Sequence, residues 1–205
     1  MASKPWQIQP QLTLPRLQLL EKLLRDVRHS ALRLHDPVGG DDNWSLGCRI
    51  YARSRNTIAQ MEAQWDWLRI VKDQQQFIFA IDGVPIRFYR GDSESPSAHN
   101  LQVTPEEMQQ MELCYGSESP FELIWRIAIE TSNAGEVLRI VLIGAHSEGG
   151  VDTRFVIPPD DTISIFTPPQ VPLKRGVHLP PPSVTVLTQK RANETKSNDD
   201  SEPNI

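Results

Sequence analysis

The stretch that most constrains the fold runs from Gln74 to Gly91, QQQFIFAIDGVPIRFYRG. Asp82-Gly83 is the two-residue loop that a type I′ hairpin turn demands, because glycine takes φ > 0 without steric cost. Folding about that loop pairs Ile81 with Val84, Phe79 with Ile86 and Phe77 with Phe88. Side chains alternate along a strand, so these six share one face, while Gln76, Ile78, Ala80, Pro85, Arg87 and Tyr89 take the other. Pro85 falls where its missing N–H would point away from the partner strand.

Upstream of the hairpin the apolar spacing is helical. Thr13 is placed to cap a helix, with Pro15 in its first turn. Leu17, Leu20, Leu24, Val27, Ala31 and Leu34 form one apolar stripe, and Pro37 with Gly39-Gly40 ends it. A second helix is expected from about Trp44 to Asp66, with Tyr51, Ile58, Met61 and Trp65 inward and Arg49 and Arg53 outward. Gly39 to Asp42 reads as a plain loop between the two. Leu68 to Lys72 then alternates as a strand, and a turn at Asp73-Gln74 would pair Ile70 with Phe77 and Leu68 with Phe79. That parity puts their apolar side chains on the hairpin's apolar face and makes a three-stranded meander.

Downstream, Thr104-Pro105-Glu106-Glu107 is a capping box, with Val103 and Met108 at the staple positions. It opens a short helix to about Leu113. A second meander is expected from Leu123 through Glu130, from Val137 through Ile143 and from Val151 through Ile157, with a further short strand at Ile163 to Phe166. After Phe166 no aromatic residue occurs and prolines crowd the chain, a composition that cannot support a core. Residues 1–12 therefore read as an extended lead-in, 13–166 as one α+β domain, and 167–205 as a largely disordered, proline-rich and then charged tail. The tail holds a PxxPxK match, Pro169 to Lys174, and one strand-like segment, Ser183 to Leu187. The fold class is thus α+β: two antiparallel meanders of about six strands, with the two long helices and the short one packed on one face.

Composition narrows the function by exclusion. A net charge of −5 argues against a dedicated, charge-driven binder of nucleic acid or anionic membrane. Cys48 and Cys114 have no CxxC partner, and the five histidines have no ligand spacing, so neither a metal nor a cofactor is expected. Phosphate-binding and nucleophile-elbow motifs are missing. A metal-dependent hydrolase would draw on carboxylates at strand ends, Asp82 and Glu130. Turn chemistry already accounts for Asp82, however, and Ser132 stands where a D…ExK site would carry lysine. No apolar run approaches the ~18 residues of a bilayer span, and no signal-peptide core is seen, so a cytoplasmic protein is expected.

The arginines are the residues that suggest binding. The turns given above place Arg69, Ile78 and Arg87 in one row of the face away from the core, and Arg126, Val141 and Arg154 in another, with Arg139 nearby. Arginine presents a fork of donors suited to carboxylate or phosphate. Mixed with Tyr89, Ile124, Ile143 and Val156, these residues have the composition of an interface. Arg69, Arg87, Tyr89, Arg126, Arg139, Val141 and Arg154 are accordingly the candidate binding residues.

Two phrases, WSLGCRIYAR (Trp44 to Arg53) and GVPIRFYRGD (Gly83 to Asp92), resemble an uncharacterised family of bacterial proteins associated with operons of helix-turn-helix repressors and metallopeptidases of the ImmA/IrrE kind. The resemblance implies a bacterial accessory protein and supplies no catalytic residues. The chain lacks the HExxH of those peptidases. Together these readings lead to the expectation of a non-catalytic interaction or regulatory module that binds another protein through the arginine and aliphatic outer sheet face and the C-terminal tail, with a homo-oligomer also allowed. A binder of nucleic acid or an anionic ligand is the alternative.

Overall fold

The structure, a computed structural model, describes residues 4–74, 76–115, 123–146 and 149–160. The chain divides into two units, Met1–Phe166 and Thr167–Ile205, and the second lies wholly beyond the described residues. So do the expected strand at Ile163 to Phe166, the PxxPxK match and the Ser183 to Leu187 segment.

A short turn of helix, α1 (Pro5–Ile8), precedes α2 (Leu14–Arg33) and α3 (Asn43–Met61). The first meander is β1 (Leu68–Lys72), β2 (Ile78–Ile81) and β3 (Val84–Arg90), followed by α4 (Ala98–Leu101) and α5 (Pro105–Tyr115). The second is β4 (Ile124–Thr131), β5 (Val137–Ala145) and β6 (Val151–Val156). The central hairpin has the expected register, Ile81 opposite Val84 and Phe79 opposite Ile86. Asp82 and Gly83 have φ of 43° and 88°, both positive as a type I′ turn requires.

Both meanders belong to one six-stranded sheet in the order β1-β2-β3-β4-β5-β6, joined by parallel pairing of β3 with β4. The parallel ladder begins at Ile86, one residue after Pro85, which has no N–H to offer β4. Parallel neighbours need a long crossover, because the chain must travel back from the end of one strand to the start of the next. The crossover holds α4 and α5, and it must cross a face of the sheet.

The inner face is already taken. Leu17, Leu20, Leu23 and Leu24 of α2 and Ile58 and Met61 of α3 are buried with Phe79, Ile86, Trp125, Ile127, Ile140 and Leu142 of the sheet. The crossover therefore lies on the outer face, where Leu101 and Met111 pack with Ile124, Ala128, Val141 and Ile143. The α+β class and the six strands are as the sequence predicts, but the short helix is on the opposite side from the long ones. That corrects the expectation of all three helices on one face.

Register differs in two places. Ile70 is opposite Phe79 and Leu68 opposite Ile81, two residues from the expected pairs, since the β1–β2 loop is longer than two residues and β1 is bulged before Lys72. A shift of two preserves the face, so the inward set is unchanged. Both edge strands, β1 and β6, carry bulges. In β1 the Ile70 N–H is taken up by the Glu62 carboxylate at 3.0 Å. Bulges and satisfied donors blunt an edge against further strand pairing. Among the described residues no helix is long and apolar enough to cross a membrane.

Candidate functional site

Across the outer face, strand register sets Arg87 beside Arg126, Arg126 beside Ile143, and Ile143 beside Arg154. Each arginine of that row meets the crossover. The capping box forms as its residues predict: Thr104 Oγ1 accepts from the Glu107 N–H at 3.3 Å, and Glu107 Oε2 accepts from the Thr104 N–H at 3.0 Å. This fixes the Glu107 carboxylate over the row. Arg126 Nη1 stands 2.7 Å from Glu107 Oε1, and Arg87 Nη1 lies 3.6 Å from Oε2. Arg126 also donates to the carbonyls of Asn100, Trp125 and Gln102. Only 1% of the Arg126 side chain and 2% of that of Glu107 is exposed. Burial pulls the Arg126 guanidinium below arginine's ordinary pKa, and Glu107 opposes the shift.

The flanks of the row are paired in the same way. Lys72 meets Glu106 at 2.7 Å and holds that carboxyl below its ordinary range. Arg154 donates to Glu94 at 2.9 Å and to the buried Ser93 hydroxyl at 2.8 Å. Ser93 in turn donates to Glu130, which Arg139 also bonds. Burial alone would raise the Glu130 carboxyl, but these bonds outweigh it and hold it low. Tyr89 donates its hydroxyl to the Asp92 carbonyl, and burial, with Asp92 and Glu130 nearby, pushes its pKa up to about 12.

Several of the candidate binding residues therefore stand elsewhere than expected. Arg126 and Val141 do not face solvent: both are buried beneath the crossover. Val141 lies opposite Ala128 and Val156, and Ile143 takes its place between Arg126 and Arg154. The bulge at Glu130 and Thr131, with the loop after it, moves the register by two and so keeps the face. Arg69 pairs across strands with Ala80, outside the row, and is exposed with its guanidinium folded onto the Leu68 carbonyl. Arg87, Tyr89, Arg139 and Arg154 do lie on the same face as Arg126, with Arg87, Tyr89 and Arg154 bound to the crossover and Arg139 bound to Glu130 of β4.

The loop between α2 and α3 has the opposite character. Asp42 caps α3, accepting from the Ser45 N–H at 2.7 Å while the Ser45 hydroxyl accepts from the Asp42 N–H at 3.0 Å. Arg49 donates to both Asp41 oxygens at 3.0 Å and to the Leu34 carbonyl, and Asp41 accepts from the Asp36 N–H at 2.9 Å. Asp36 accepts from the Gly39 N–H at 3.0 Å. A Cβ at Gly39 would stand 2.6 Å from Asp36 Oδ2, so a side chain there would push that carboxylate away. The Asp36 N–H, followed by Arg49, holds Asp41 below the usual carboxylate range, and the Ser45 N–H does the same for Asp42.

These hydrogen bonds tie the loop down, yet it leaves its apolar side chains largely in solvent. Val38 is 99% exposed, Trp44 76% and Leu34 57%. Leu34, expected at the end of the inward stripe, lies just past the last residue of α2 and turns outward. Sequence reasoning missed the surface because it took Gly39 to Asp42 as a plain loop. The available signal was the Asp42…Ser45 spacing, which marks a capped helix start directly after two glycines.

Asp82 and Glu130 are separately engaged, Asp82 by Arg16 at 2.5 Å and Glu130 by Ser93 and Arg139. Among the described residues no three His, Cys, Asp or Glu side chains are gathered as a metal ion would need. Cys48 is a free, exposed thiol. No protein-family model, curated protein or solved structure matches this chain.

Proposed function

We propose that the protein is a non-catalytic interaction module that binds another protein, and that the α2–α3 tip is its contact surface. One observation carries the reading: a hydrogen-bonded loop holds Val38 and Trp44 out in solvent. An apolar side chain fixed outward on a rigid loop gains nothing for folding. It does lower the ordering cost of association, because the binding conformation is already formed. Tryptophan is also the residue type most enriched among interface hot spots. The alternative, a nucleic-acid or anionic-ligand binder working through the arginine rows, draws less support. The cations of the outer face are neutralised by Glu94, Glu106, Glu107 and Glu130. A bacterial accessory role, as the resemblance of Trp44 to Arg53 and Gly83 to Asp92 implies, is part of the same proposal.

Site-specific photo-crosslinking tests it. A photoreactive residue at Val38 in expressing cells should give one discrete protein adduct that the same group at exposed Gln109 does not give. Identical adduct patterns from the two positions would sink the reading.

A further inference from the structure

We infer that the partner offers the tip a basic, apolar segment, with an aliphatic or aromatic side chain against Val38 and Trp44 and lysine or arginine beside Asp36 and Asp42. This rests on the interaction reading given above. The argument is one of uncancelled charge. Residues 33–44 include Asp36, Asp41 and Asp42 against Arg33, with His35 half-buried at 3.6 Å from Asp41. Arg49 neutralises Asp41 in a two-oxygen fork. Among the described residues Asp36 and Asp42 meet neutral donors, the Gly39 N–H for Asp36 and the Ser45 and Trp44 backbone for Asp42, and no arginine or lysine, so their negative charge is left standing. Both residues are exposed, and each stands two positions before an apolar tip residue, Asp36 before Val38 and Asp42 before Trp44.

That arrangement selects among occupants. Carboxylates beside the apolar tip repel an anionic lipid surface and any acidic peptide. A second copy of the chain, at net charge −5, is a poor electrostatic match. A basic segment gains from these charges at the encounter and keeps wrong partners away.

The probe is a random-peptide display library selected on the full-length protein. Selected sequences should combine Lys or Arg with aromatic or aliphatic residues. The leading peptide should lose about thirtyfold in affinity to the Val38→Ser/Trp44→Ser variant, as for a hot spot. Asp36→Asn and Asp42→Asn keep the acceptors, and asparagine caps a helix as well as aspartate does, so these changes remove charge alone. Each should weaken the basic peptide about threefold at low salt, with the loss shrinking as salt rises. Circular dichroism and thermal unfolding of each variant establish that the fold is kept.

Tip-dependent peptides without basic residues, or indifference to both Asn changes, would overturn this inference and leave the interaction reading intact. Failure to select any tip-dependent peptide would overturn both. Trp44-dependent binding to phosphatidylcholine vesicles in place of peptides would also overturn both and reassign the tip to a lipid surface.

Discussion

The crossover on the outer face and the loop between α2 and α3 are built from the same materials, carboxylates and arginines set among aliphatic side chains. They use them to opposite ends. Over the sheet, Glu107 and Arg126 pull the crossover down, and Leu101 and Met111 are buried against Val141 and Ile143. At the tip, Arg49 and Asp41 brace a loop that leaves Val38 and Trp44 in water. The first region is an interface whose occupant is the chain's own crossover. The second presents apolar groups that its own chain does not cover among the described residues. Arginine mixed with aliphatic residues on a sheet face here marks a surface that the chain itself covers.

The sharpest way to break this comparison is at Arg126. Arg126→Ala leaves the buried Glu107 with only the longer Arg87 contact and should cost about 3 to 5 kcal/mol in a denaturant titration. Arg126→Met combined with Glu107→Leu removes both charges and should recover most of that loss. A loss below about 1 kcal/mol for Arg126→Ala would show that the crossover is not held by this pair.

Met111 tests the apolar half of the same region. Met111→Ala should cost about 2 to 5 kcal/mol, as for other buried methionines. If it proves neutral, the crossover packs on the outer face more loosely than its burial indicates.

Acid separates the two networks. Asp41 and Asp42 have depressed pKa values, so their contribution is complete above the unfolded-state pKa and is lost as pH falls through the folded one. The amide resonances of Asp36 and Ser45, which donate to these carboxylates, should hold steady down to about pH 4 and move only below it. Movement of either amide centred at about pH 4, the ordinary aspartate value, would mean that the bracing bonds are not formed in solution.

The smallest effect belongs to the tip side chains. Val38→Ser and Trp44→Ser should each change stability by no more than about 0.5 kcal/mol, because neither side chain is packed. A larger loss, measured by the same titration, would show that the tip serves folding and would erase the contrast with Met111.

Much of the fold was legible because its determinants are local. The Asp82-Gly83 turn fixes the register of β2 on β3, and the Thr104–Glu107 box fixes the start of α5. Alternation with period two assigned every strand residue named in the central hairpin to its face, and a register shift of two in each meander left those assignments untouched. The capping pair Asp42 and Ser45 is equally local, and its three-residue spacing is legible in the chain.

What the sequence determined by itself is which side chains share a face and roughly where the long helices, α5 and the strands begin, while α1 falls in the stretch that reads as an extended lead-in. What covers each face was decided by tertiary structure alone. Once β4 pairs parallel to β3, the segment between them must recross the sheet, and the inner face is already filled by α2 and α3. That long-range pairing, which leaves no periodic mark in the chain, turned Arg126 and Val141 from expected binding residues into buried ones. It also left the α2–α3 loop, a full layer away from the crossover, with its apolar tip uncovered among the described residues.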